Sequence, residues 1–544
     1  MKFSLLGLST KGSVGLILGL VGLILPLLFF PLPGLSFAGH IALGIFLMAA
    51  VFWMTEPIPI YATSMSVIFL QVLLLSSQGP VYQNAELPLT SIEQLNTNEW
   101  EIPDSAFDHN DYLWLHRDGE TLKLESPDIS ESSNNLLVVT SDEIESGDEA
   151  ITDPGHRLVN YEPTPYQDFF GTLANPIIIL FLGGFMLAAG AVKFNLDKNL
   201  TRYLLKPFGQ RPLYIVLGLM LVTAVLSAFM SNTATTAMMV TVILPIIAQL
   251  KEGDRFKLGL ALSIPVAANI GGIATPIGTP PNAIVLAALS DAGKDISFTD
   301  WMLYAGPLVL IMLFISWWLL LWLFKPSVSE FQLNLKGTFK TSPKAIILYI
   351  IFGLTVLLWV TENQHGISSN MIAFLPVAGL IATGVLDKDD VRSLPWEVLW
   401  LVAGGISLGL SMDQTGLASW MIGGIDWANL TAFLLILLFG VISLGLSNFL
   451  SNTVTATLVM PIAVSLWSAG VLPEPFGIIT VGLAISVSCS LAMVLPISTP
   501  PNAIAMSTGI IKTPEMAKNG VIIGLIGLVF VMISALLYWP VIVN

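Results

Sequence analysis

The sequence contains few charged residues for its length. Asp, Glu, Lys and Arg make up only 11% of its 544 residues, whereas soluble domains carry about 25%. Hydrophobic residues make up 54%, and the mean hydropathy is +0.79. Apolar runs of about 18 residues or more recur along the chain, which is typical of membrane-spanning helices. The scarcity of charge therefore argues against a soluble domain and predicts an all-α polytopic membrane protein.

Residues that carry enzymatic or metal chemistry are also scarce. The single cysteine, Cys489, lies in an apolar run, which excludes a disulfide framework. The five histidines fall in loops without a clustered spacing, and His109 with His116 gives only a weak indication of zinc. The chain has no phosphate-binding loop, nucleophile elbow or His-Glu-x-x-His motif. We therefore expect neither an enzyme nor a nucleic-acid partner.

The net charge of −15 is concentrated in one segment. Residues 78–168 hold 20 acidic and 3 basic residues, and the rest of the chain holds 17 acidic and 19 basic residues. The acidity therefore belongs to a hydrophilic insertion and not to the membrane-embedded part.

About eleven transmembrane helices and two re-entrant hairpins are predicted. The N-terminal segment, 1–37, contains an apolar run that we interpret as a retained helix, because it is long and no small-residue cleavage site follows it. The spans lie near 14–31, 38–54, 60–77, 172–192, 258–288, 302–324, 345–361, 370–387, 396–413, 475–507 and 519–541, and the hairpins near 212–250 and 428–470.

The basic residues predict the orientation of the chain. With the N-terminus in the cytoplasm, 18 of the 22 Lys and Arg residues fall on the cytoplasmic side, as the positive-inside rule requires. The C-terminus and the 78–168 insertion are then extracytoplasmic, and we expect the protein in the cell inner (plasma) membrane.

Two short polar motifs occur twice with the same offset. Phe229-Met-Ser-Asn-Thr233 recurs 220 residues later as Phe449-Leu-Ser-Asn-Thr453, and Thr279-Pro-Pro-Asn-Ala-Ile284 recurs as Thr499-Pro-Pro-Asn-Ala-Ile504. The predicted orientation makes the two hairpins enter from opposite sides, which predicts an inverted repeat. The repeats cover 38–325, interrupted by the insertion, and 343–541. Such an arrangement is typical of a secondary transporter.

The duplicated motifs suit an anion and a small cation together. Prolines interrupt a helix, and such breaks survive at membrane depth only where they line a cavity. Helix N-termini favour a carboxylate, while freed carbonyls, Ser hydroxyls and Asn oxygens suit sodium. One Ser-Asn-Thr alone often only bonds back to its helix, and one Thr-Pro-Pro-Asn is often a kink. Four pieces at matched offsets favour a binding site.

A third duplicated motif carries acidic residues. Trp53-Met-Thr-Glu56 recurs as Trp359-Val-Thr-Glu362, each at the end of a predicted span. For both glutamates, helix capping or packing is the favoured interpretation over contact with a substrate.

The insertion contains signals for β-structure. Tyr112–His116 and Glu120–Leu124 flank Asp118-Gly119, which predicts a β-hairpin. Leu136–Thr140 is a candidate strand, and Ser141–Asp153 is expected to be an acidic loop. We expect a solvated, partly ordered cap, with a partner- or ion-binding module as the less favoured alternative.

At these motifs the sequence resembles the divalent-anion/sodium symporter family, over nearly all of the chain except 78–168. The resemblance implies sodium-coupled transport of dicarboxylates, citrate or sulfate, a homodimer, and a transport domain that moves like an elevator. It implies that the substrate carboxylates are bound by Ser231, Asn232, Thr233, Thr279, Ser451, Asn452, Thr453 and Thr499.

The resemblance also implies two sodium sites. The first comprises Ser227, Ser231, Asn232 and Gly278, and the second comprises Ser447, Leu450, Asn452, Ser498 and Pro500, with Leu450 and Pro500 contributing backbone atoms. We expect a sodium-coupled carrier of C4-dicarboxylates such as succinate. An anion exchanger, or a sulfate or citrate carrier, is the alternative within the class, and an anion channel is the alternative from another class.

Overall fold

The structure is a computed structural model. It describes residues 10–28, 32–83, 89–96, 99–103, 113–117, 120–124, 128–131, 136–141, 143–145, 148–151, 161–331, 339–423, 431–470 and 477–543. The chain divides into two compact units. One comprises Met1–Thr172 with Ser407–Ile425, and the other comprises Leu173–Ile406 with Asp426–Asn544.

Helices dominate the described part of the chain. They are α1 Thr10–Leu28, α2 Phe37–Thr55, α3 Ile60–Leu74, α4 Tyr166–Gly171, α5 Pro176–Lys193, α6 Leu196–Leu205, α7 Pro212–Phe229, α8 Asn232–Ile247, α9 Phe256–Gly272, α10 Pro280–Asp291, α11 Phe298–Leu323, α12 Pro343–Val360, α13 Glu362–His365, α14 Ser369–Ile372, α15 Phe374–Ala382, α16 Lys388–Arg392, α17 Trp396–Gln414, α18 Leu417–Gly423, α19 Ala432–Ser447, α20 Asn452–Ser468, α21 Ile478–Ser490, α22 Pro500–Ser507, α23 Thr513–Ile533 and α24 Trp539–Ile542.

The helices confirm the polytopic membrane class. Within the described ranges, seven helical segments are long and apolar enough to cross a membrane: Thr10–Leu28, Phe37–Thr55, Tyr166–Lys193, Pro212–Phe229, Phe298–Leu323, Pro343–Val360 and Thr513–Ile542. Other apolar helices are shorter because the chain breaks them. The predicted span 258–288, for instance, is divided into α9 and α10 just before the Thr-Pro-Pro motif. The count of eleven spans and two hairpins, and the inversion of the repeats, remain predictions.

The insertion contains more β-structure than the sequence indicated. Its strands are β1 Leu89–Ser91, β2 Glu93–Asn96, β3 Glu99–Pro103, β4 Leu113–Arg117, β5 Glu120–Leu124, β6 Asp128–Glu131, β7 Leu136–Thr140 and β8 Glu149–Ile151. They form two antiparallel sheets with strand orders β1-β8-β4-β5 and β2-β3-β7-β6. The predicted hairpin is confirmed as β4 and β5, and the candidate strand as β7.

Three details of the insertion extend or limit the prediction. The segment expected to be an acidic loop contains β8, which pairs with β1 and β4. Alternate residues such as Trp100 and Ile102 of β3 are buried in a small core between the strands. The Asp118-Gly119 turn and His109 lie outside the described residues, so the zinc indication stays a prediction.

The first unit is held together by close helix packing and one buried polar side chain. Gly44 of α2 lies so near α1 that a Cβ there would meet the Leu23 carbonyl oxygen at 2.3 Å, a small-residue contact typical of membrane helices. Gln71 of α3 is fully buried, and its Nε2 donates to the Ser407 carbonyl at 3.0 Å and to Ser411 Oγ at 2.7 Å. These bonds satisfy a polar group that burial would otherwise destabilise.

The second unit contains an apolar core formed by α5, α12 and α15. Trp359 stacks on Phe298 with ring centroids 4.9 Å apart. Gly183 allows α5 to approach the segment at Ala373, because a Cβ there would meet the Ala373 carbonyl oxygen at 2.5 Å.

The two duplicated glutamates have different environments. Glu362 is buried, and its carboxylate accepts from the N–H of Phe298 at 2.6 Å and of Ser369 at 2.8 Å, at the beginnings of α11 and α14. Glu56 is exposed, adopts a left-handed conformation at φ 50°, and its N–H donates to the Phe52 carbonyl at the end of α2. The capping interpretation therefore agrees with both positions.

Candidate functional site

Both Ser-Asn-Thr motifs lie at the start of a helix. Ser231 is the N-cap of α8, where its Oγ accepts from the N–H of Ala234 at 3.4 Å. Ser451 is the N-cap of α20 and accepts from the N–H of Val454 at 3.2 Å. The first N–H groups of a helix have no partner within it and carry a partial positive charge. Each motif therefore presents hydroxyl and amide donors at a positive helix end.

Both Thr-Pro-Pro-Asn motifs also begin a helix, after a break. Thr279 and Thr499 are the extended N-cap residues of α10 and α22. The following prolines fit the first helical positions, because their missing N–H has no intrahelical partner there. The chain between α9 and α10, and between α21 and α22, is a loop in which carbonyls such as those of Thr275 and Leu495 accept turn hydrogen bonds from the N–H groups of Gly278 and Ser498.

A cavity of about 790 Å³ in the second unit collects these four helix starts. Its wall includes all eight residues predicted to bind substrate: Ser231, Asn232, Thr233, Thr279, Ser451, Asn452, Thr453 and Thr499. Phe181 and Phe185 of α5 form part of the apolar wall of the cavity, whereas the motifs form its polar part. Polar donors are thus concentrated in a mainly apolar cavity, where electrostatic interactions are stronger than in water.

Most of the predicted sodium ligands also lie at this cavity. Those on its wall are Ser231, Asn232, Gly278, Asn452, Ser498 and Pro500. Ser227 and Ser447 are fully buried and contact the motifs from behind. Ser227 Oγ donates to Asn232 Oδ1 at 2.5 Å, and Ser447 Oγ donates to Asn452 Oδ1 at 2.7 Å. Leu450 is buried and is absent from the cavity wall among the described residues.

The first broken loop wraps closely around Asn232. A Cβ at Gly272 would lie 2.7 Å from Asn232 Oδ1, and a Cβ at Gly278 would lie 2.4 Å from the Gly272 carbonyl oxygen. The two glycines thus bring loop carbonyls and the Asn232 side-chain oxygen together. Such a group of neutral oxygens suits a hard cation.

Two asparagines that the sequence did not single out contribute to the second motif. Asn269 lines the cavity, and its Nδ2 donates to Thr499 Oγ1 at 3.1 Å. Asn448 accepts at Oδ1 from the N–H of Val494 at 2.9 Å, and its carbonyl accepts from Ser498 Oγ at 2.9 Å. The position 220 residues after Asn269 is occupied by Cys489, so Asn269 is not a duplicated residue.

Lys193, one of the basic residues that predict the orientation of the chain in the membrane, also lies on the cavity wall. Lys193, at the end of α5, forms an ion pair with Asp387 at 2.8 Å and another with Asp390. Hydrogen bonding from the Lys193 ammonium, aided by the N–H of Asp390, lowers the pKa of Asp387 to about 2. The lysine charge is therefore already balanced by carboxylates.

A comparison with known families places most of the chain in one of them. The model of the sodium:sulfate symporter transmembrane region matches residues 166–544, which include every predicted site residue.

Individual relatives are similar over most of their length. An uncharacterised transporter of Haemophilus influenzae is 33% identical, over 67% of this chain and 82% of its own. The sodium-dependent dicarboxylate transporter SdcS of Staphylococcus saprophyticus is 32% identical, over 66% of this chain and 76% of its own. The transporter of the same name from Staphylococcus aureus is 28% identical, over 98% of this chain and 93% of its own.

Proposed function

Because the chain belongs to the sodium:sulfate symporter family, whose members are transporters and not enzymes, we propose that it carries C4-dicarboxylates such as succinate across the membrane. Sodium is the co-transported ion. The names of the Staphylococcus relatives, which specify dicarboxylates, favour this substrate class over sulfate or citrate.

The observation that carries the proposal is the meeting of four helix N-termini at one cavity. The helices α8, α10, α20 and α22 all begin on its wall. Each N-terminus is equivalent to about half a positive charge, so four together offer about +2 without a free cationic side chain. That total matches the charge of a dicarboxylate.

The hydrogen bonds at Thr499 favour a ligand with an acceptor oxygen over a cation. Thr499 Oγ1 accepts from Asn269 Nδ2 at 3.1 Å and from the N–H of Asn502 at 3.3 Å. Both lone pairs of the hydroxyl are then occupied, so its proton remains to donate. We assign that proton to a substrate carboxylate.

Sodium is proposed to bind at the two motifs from the loop side. Asn232 with Ser227, Ser231 and Gly278 forms the first set. The second set is Ser447, Leu450, Asn452, Ser498 and Pro500. Bound sodium would add positive charge beside the anion and lower the free-energy cost of removing it from water.

The transport cycle proposed here is alternating access of the elevator type, in which two inverted repeats, 38–325 and 343–541, form the site between them. The N-terminal helix, 1–37, lies outside the repeats. The proposed assembly is a homodimer in the plasma membrane, with the N-terminus in the cytoplasm and the C-terminus and the 78–168 insertion outside.

Uptake of radiolabelled succinate into proteoliposomes tests the proposal. We expect an inward sodium gradient to drive saturable uptake, and Asn232→Ala or Asn452→Ala to abolish it without lowering expression or thermal stability in detergent. Asn519→Ala is the control, because Asn519 is a buried asparagine of α23 that is absent from the cavity wall, whereas Asn232 and Asn452 are half-buried on that wall.

Other outcomes would identify the alternatives. Unchanged uptake when choline replaces sodium would contradict sodium coupling, and a requirement for internal succinate would then indicate an exchanger. Competition by sulfate or citrate without succinate transport would reassign the substrate. Ionic currents without saturation would indicate a channel.

A further inference from the structure

The asparagine of each Thr-Pro-Pro-Asn motif bonds to both copies of the repeat at once. In the first copy, Asn282 Nδ2 donates to the carbonyls of Gly272 at 3.0 Å and Thr275 at 2.7 Å, which closes its own loop. Its Oδ1 accepts from Ser486 Oγ at 2.6 Å, and Ser486 lies on α21 of the second copy. Asn282 and Ser486 are both fully buried.

The second copy repeats this pattern in the opposite direction. Asn502 Nδ2 donates to the carbonyls of Met493 and Leu495, both at 3.0 Å, and closes the second loop. Its Oδ1 accepts from Asn269 Nδ2 at 3.3 Å, and Asn269 lies on α9 of the first copy. Each side-chain amide therefore donates both of its protons to carbonyls of its own loop, and its oxygen accepts a hydrogen bond from the opposite copy.

The same two helices also hold the predicted sodium ligands. Ser227 Oγ lies 2.5 Å from Asn232 Oδ1 and 2.9 Å from the carbonyl oxygen of Ala268, the neighbour of Asn269 on α9, and these two acceptors share its one proton. In the second copy, Ser447 Oγ shares its proton in the same way between Asn452 Oδ1 at 2.7 Å and the carbonyl oxygen of Cys489 at 3.1 Å, one turn after Ser486 on α21. Each helix thus contacts the sodium ligands of its own copy and the broken loop of the other copy.

The cross-links are not a simple product of duplication. The residue 220 positions before Ser486 is Val266, and the residue 220 positions after Asn269 is Cys489. A different donor on a different helical turn therefore reaches the equivalent asparagine oxygen in each copy. The same link is made by unlike residues.

We propose that Ser486 and Asn269 are positioning residues that couple the two sodium sites, so that sodium bound at one broken loop orders the other loop through α9 and α21. This inference rests on the proposed sodium-coupled function. Coupling between two sites is reciprocal, so each sodium ion strengthens the binding of the other. Because both links are buried, removal of the donor leaves the asparagine oxygen without this hydrogen bond, which is unfavourable.

Sodium titrations of Ser486→Ala test the coupling. The Hill coefficient for sodium is measured from thermal stabilisation of the purified protein and from succinate uptake. We expect a wild-type coefficient above one that falls toward one in Ser486→Ala, with about five-fold more sodium needed for half-saturation. Ser486→Thr, which keeps the hydroxyl, is expected to restore the wild-type value.

Ser488→Ala is the matched control on the same helix. Ser488 is as buried as Ser486, but its hydroxyl has no hydrogen-bond partner among the described residues. Its substitution is expected to leave the Hill coefficient unchanged. If Ser486→Ala does not fold, Asn269→Ala tests the link in the opposite direction and is expected to lower the coefficient likewise.

The outcomes separate this inference from the proposed function. A sodium-dependent wild type with a Hill coefficient of one, or with a coefficient that Ser486→Ala leaves unchanged, overturns the coupling alone. A wild type that neither binds sodium nor needs it for uptake overturns the proposed function, and the coupling with it.

Discussion

The two copies of the motif region share their hydrogen-bonding plan but differ in how their loops are packed. In both, a serine caps the helix after the Ser-Asn-Thr motif, and a buried serine one turn earlier bonds to the motif asparagine. The first loop depends on Gly272 and Gly278, whereas the equivalent positions of the second are Ala492 and Ser498. The first loop is therefore shaped by backbone approach and the second by side-chain hydrogen bonds.

This difference shows which residues of a duplicated site must be the same in both copies. The Ser-Asn-Thr and Thr-Pro-Pro-Asn residues are the same in both copies, as a substrate with two like ends would require. Other positions of the broken loops differ between the copies, such as Gly278 and Ser498, because each copy needs only a stable loop of its own. Four substitutions test this difference between the two copies.

The largest effect is expected from Gly278→Ala in the first copy. The new methyl carbon would lie 2.4 Å from the Gly272 carbonyl oxygen, and backbone on both sides cannot yield as a flexible side chain would. We expect sodium-driven uptake to fall by roughly 100-fold or more, since the loop at Asn232 must move.

Gly353→Ala is the control for that change, because a Cβ at this position in α12 has no neighbour within 4 Å. Near-normal uptake by Gly278→Ala would show that backbone approach does not shape the first loop.

The second effect compares the two N-cap threonines. Thr499 Oγ1 accepts two hydrogen bonds, whereas Thr279 makes no side-chain cap bond. Valine keeps the shape of threonine but removes the hydroxyl. We expect Thr499→Val to raise the KM for succinate about ten-fold, because it removes the acceptor of one Asn269 Nδ2–H group in addition to the hydroxyl itself.

Thr279→Val should raise the same KM only a few-fold, because it removes only the proposed substrate contact. Equal KM values for the two variants in parallel uptake assays would show that the cap bonds of Thr499 do not affect substrate binding.

A smaller effect is expected from Ser498→Ala in the second copy. Ser498 Oγ donates to the Asn448 carbonyl at 2.9 Å and accepts from the N–H of Leu495 at 3.0 Å. A hydrogen bond contributes about 0.5–1.5 kcal/mol, and the lower value for each of the two bonds gives about 1 kcal/mol in total, so we expect roughly five-fold weaker sodium activation. Substrate KM at saturating sodium should not change, and a large change in it would assign Ser498 to the anion instead.

The smallest effect is expected at the ion pair on the cavity wall. Asp387 is largely exposed, and exposed ion pairs contribute little to stability. Its pKa of about 2 lies below the ordinary value, so the pair persists above about pH 4 and is lost only as the pH falls through about 2.

Asp387→Asn is therefore expected to change uptake by less than about two-fold, and its pH profile between 5 and 8 should have the wild-type shape. A profile that differs in shape would mean that this carboxylate titrates during transport.

The sequence alone was sufficient to select residues that occur in duplicated motifs or that interrupt a helix at their own position. Ser231 and Ser451 were predicted because the Ser-Asn-Thr motif occurs twice with the same offset, and the Thr-Pro-Pro motifs were predicted because they are duplicated and because proline interrupts a helix. The eight predicted substrate residues consequently occur on one cavity wall.

Residues that depend on tertiary contacts were not found. Asn269 has no copy, and only the folded chain brings it to Thr499. Lys193 was used to predict orientation, although it also lies on the cavity wall. In the insertion, strands of three residues such as Leu89–Ser91 are too short for an alternating pattern, and their partners lie about 60 residues away.

The carboxylate of Glu362 ties two helices to one point without any cation. It is satisfied only while the N–H groups of Phe298 and Ser369 both reach it. A motion that parted the start of α11 from the start of α14 would strand a buried negative charge, which is strongly unfavourable. Spin labels on these two helices would thus report two distance populations, one with both hydrogen bonds formed and one with them broken, and few intermediate distances.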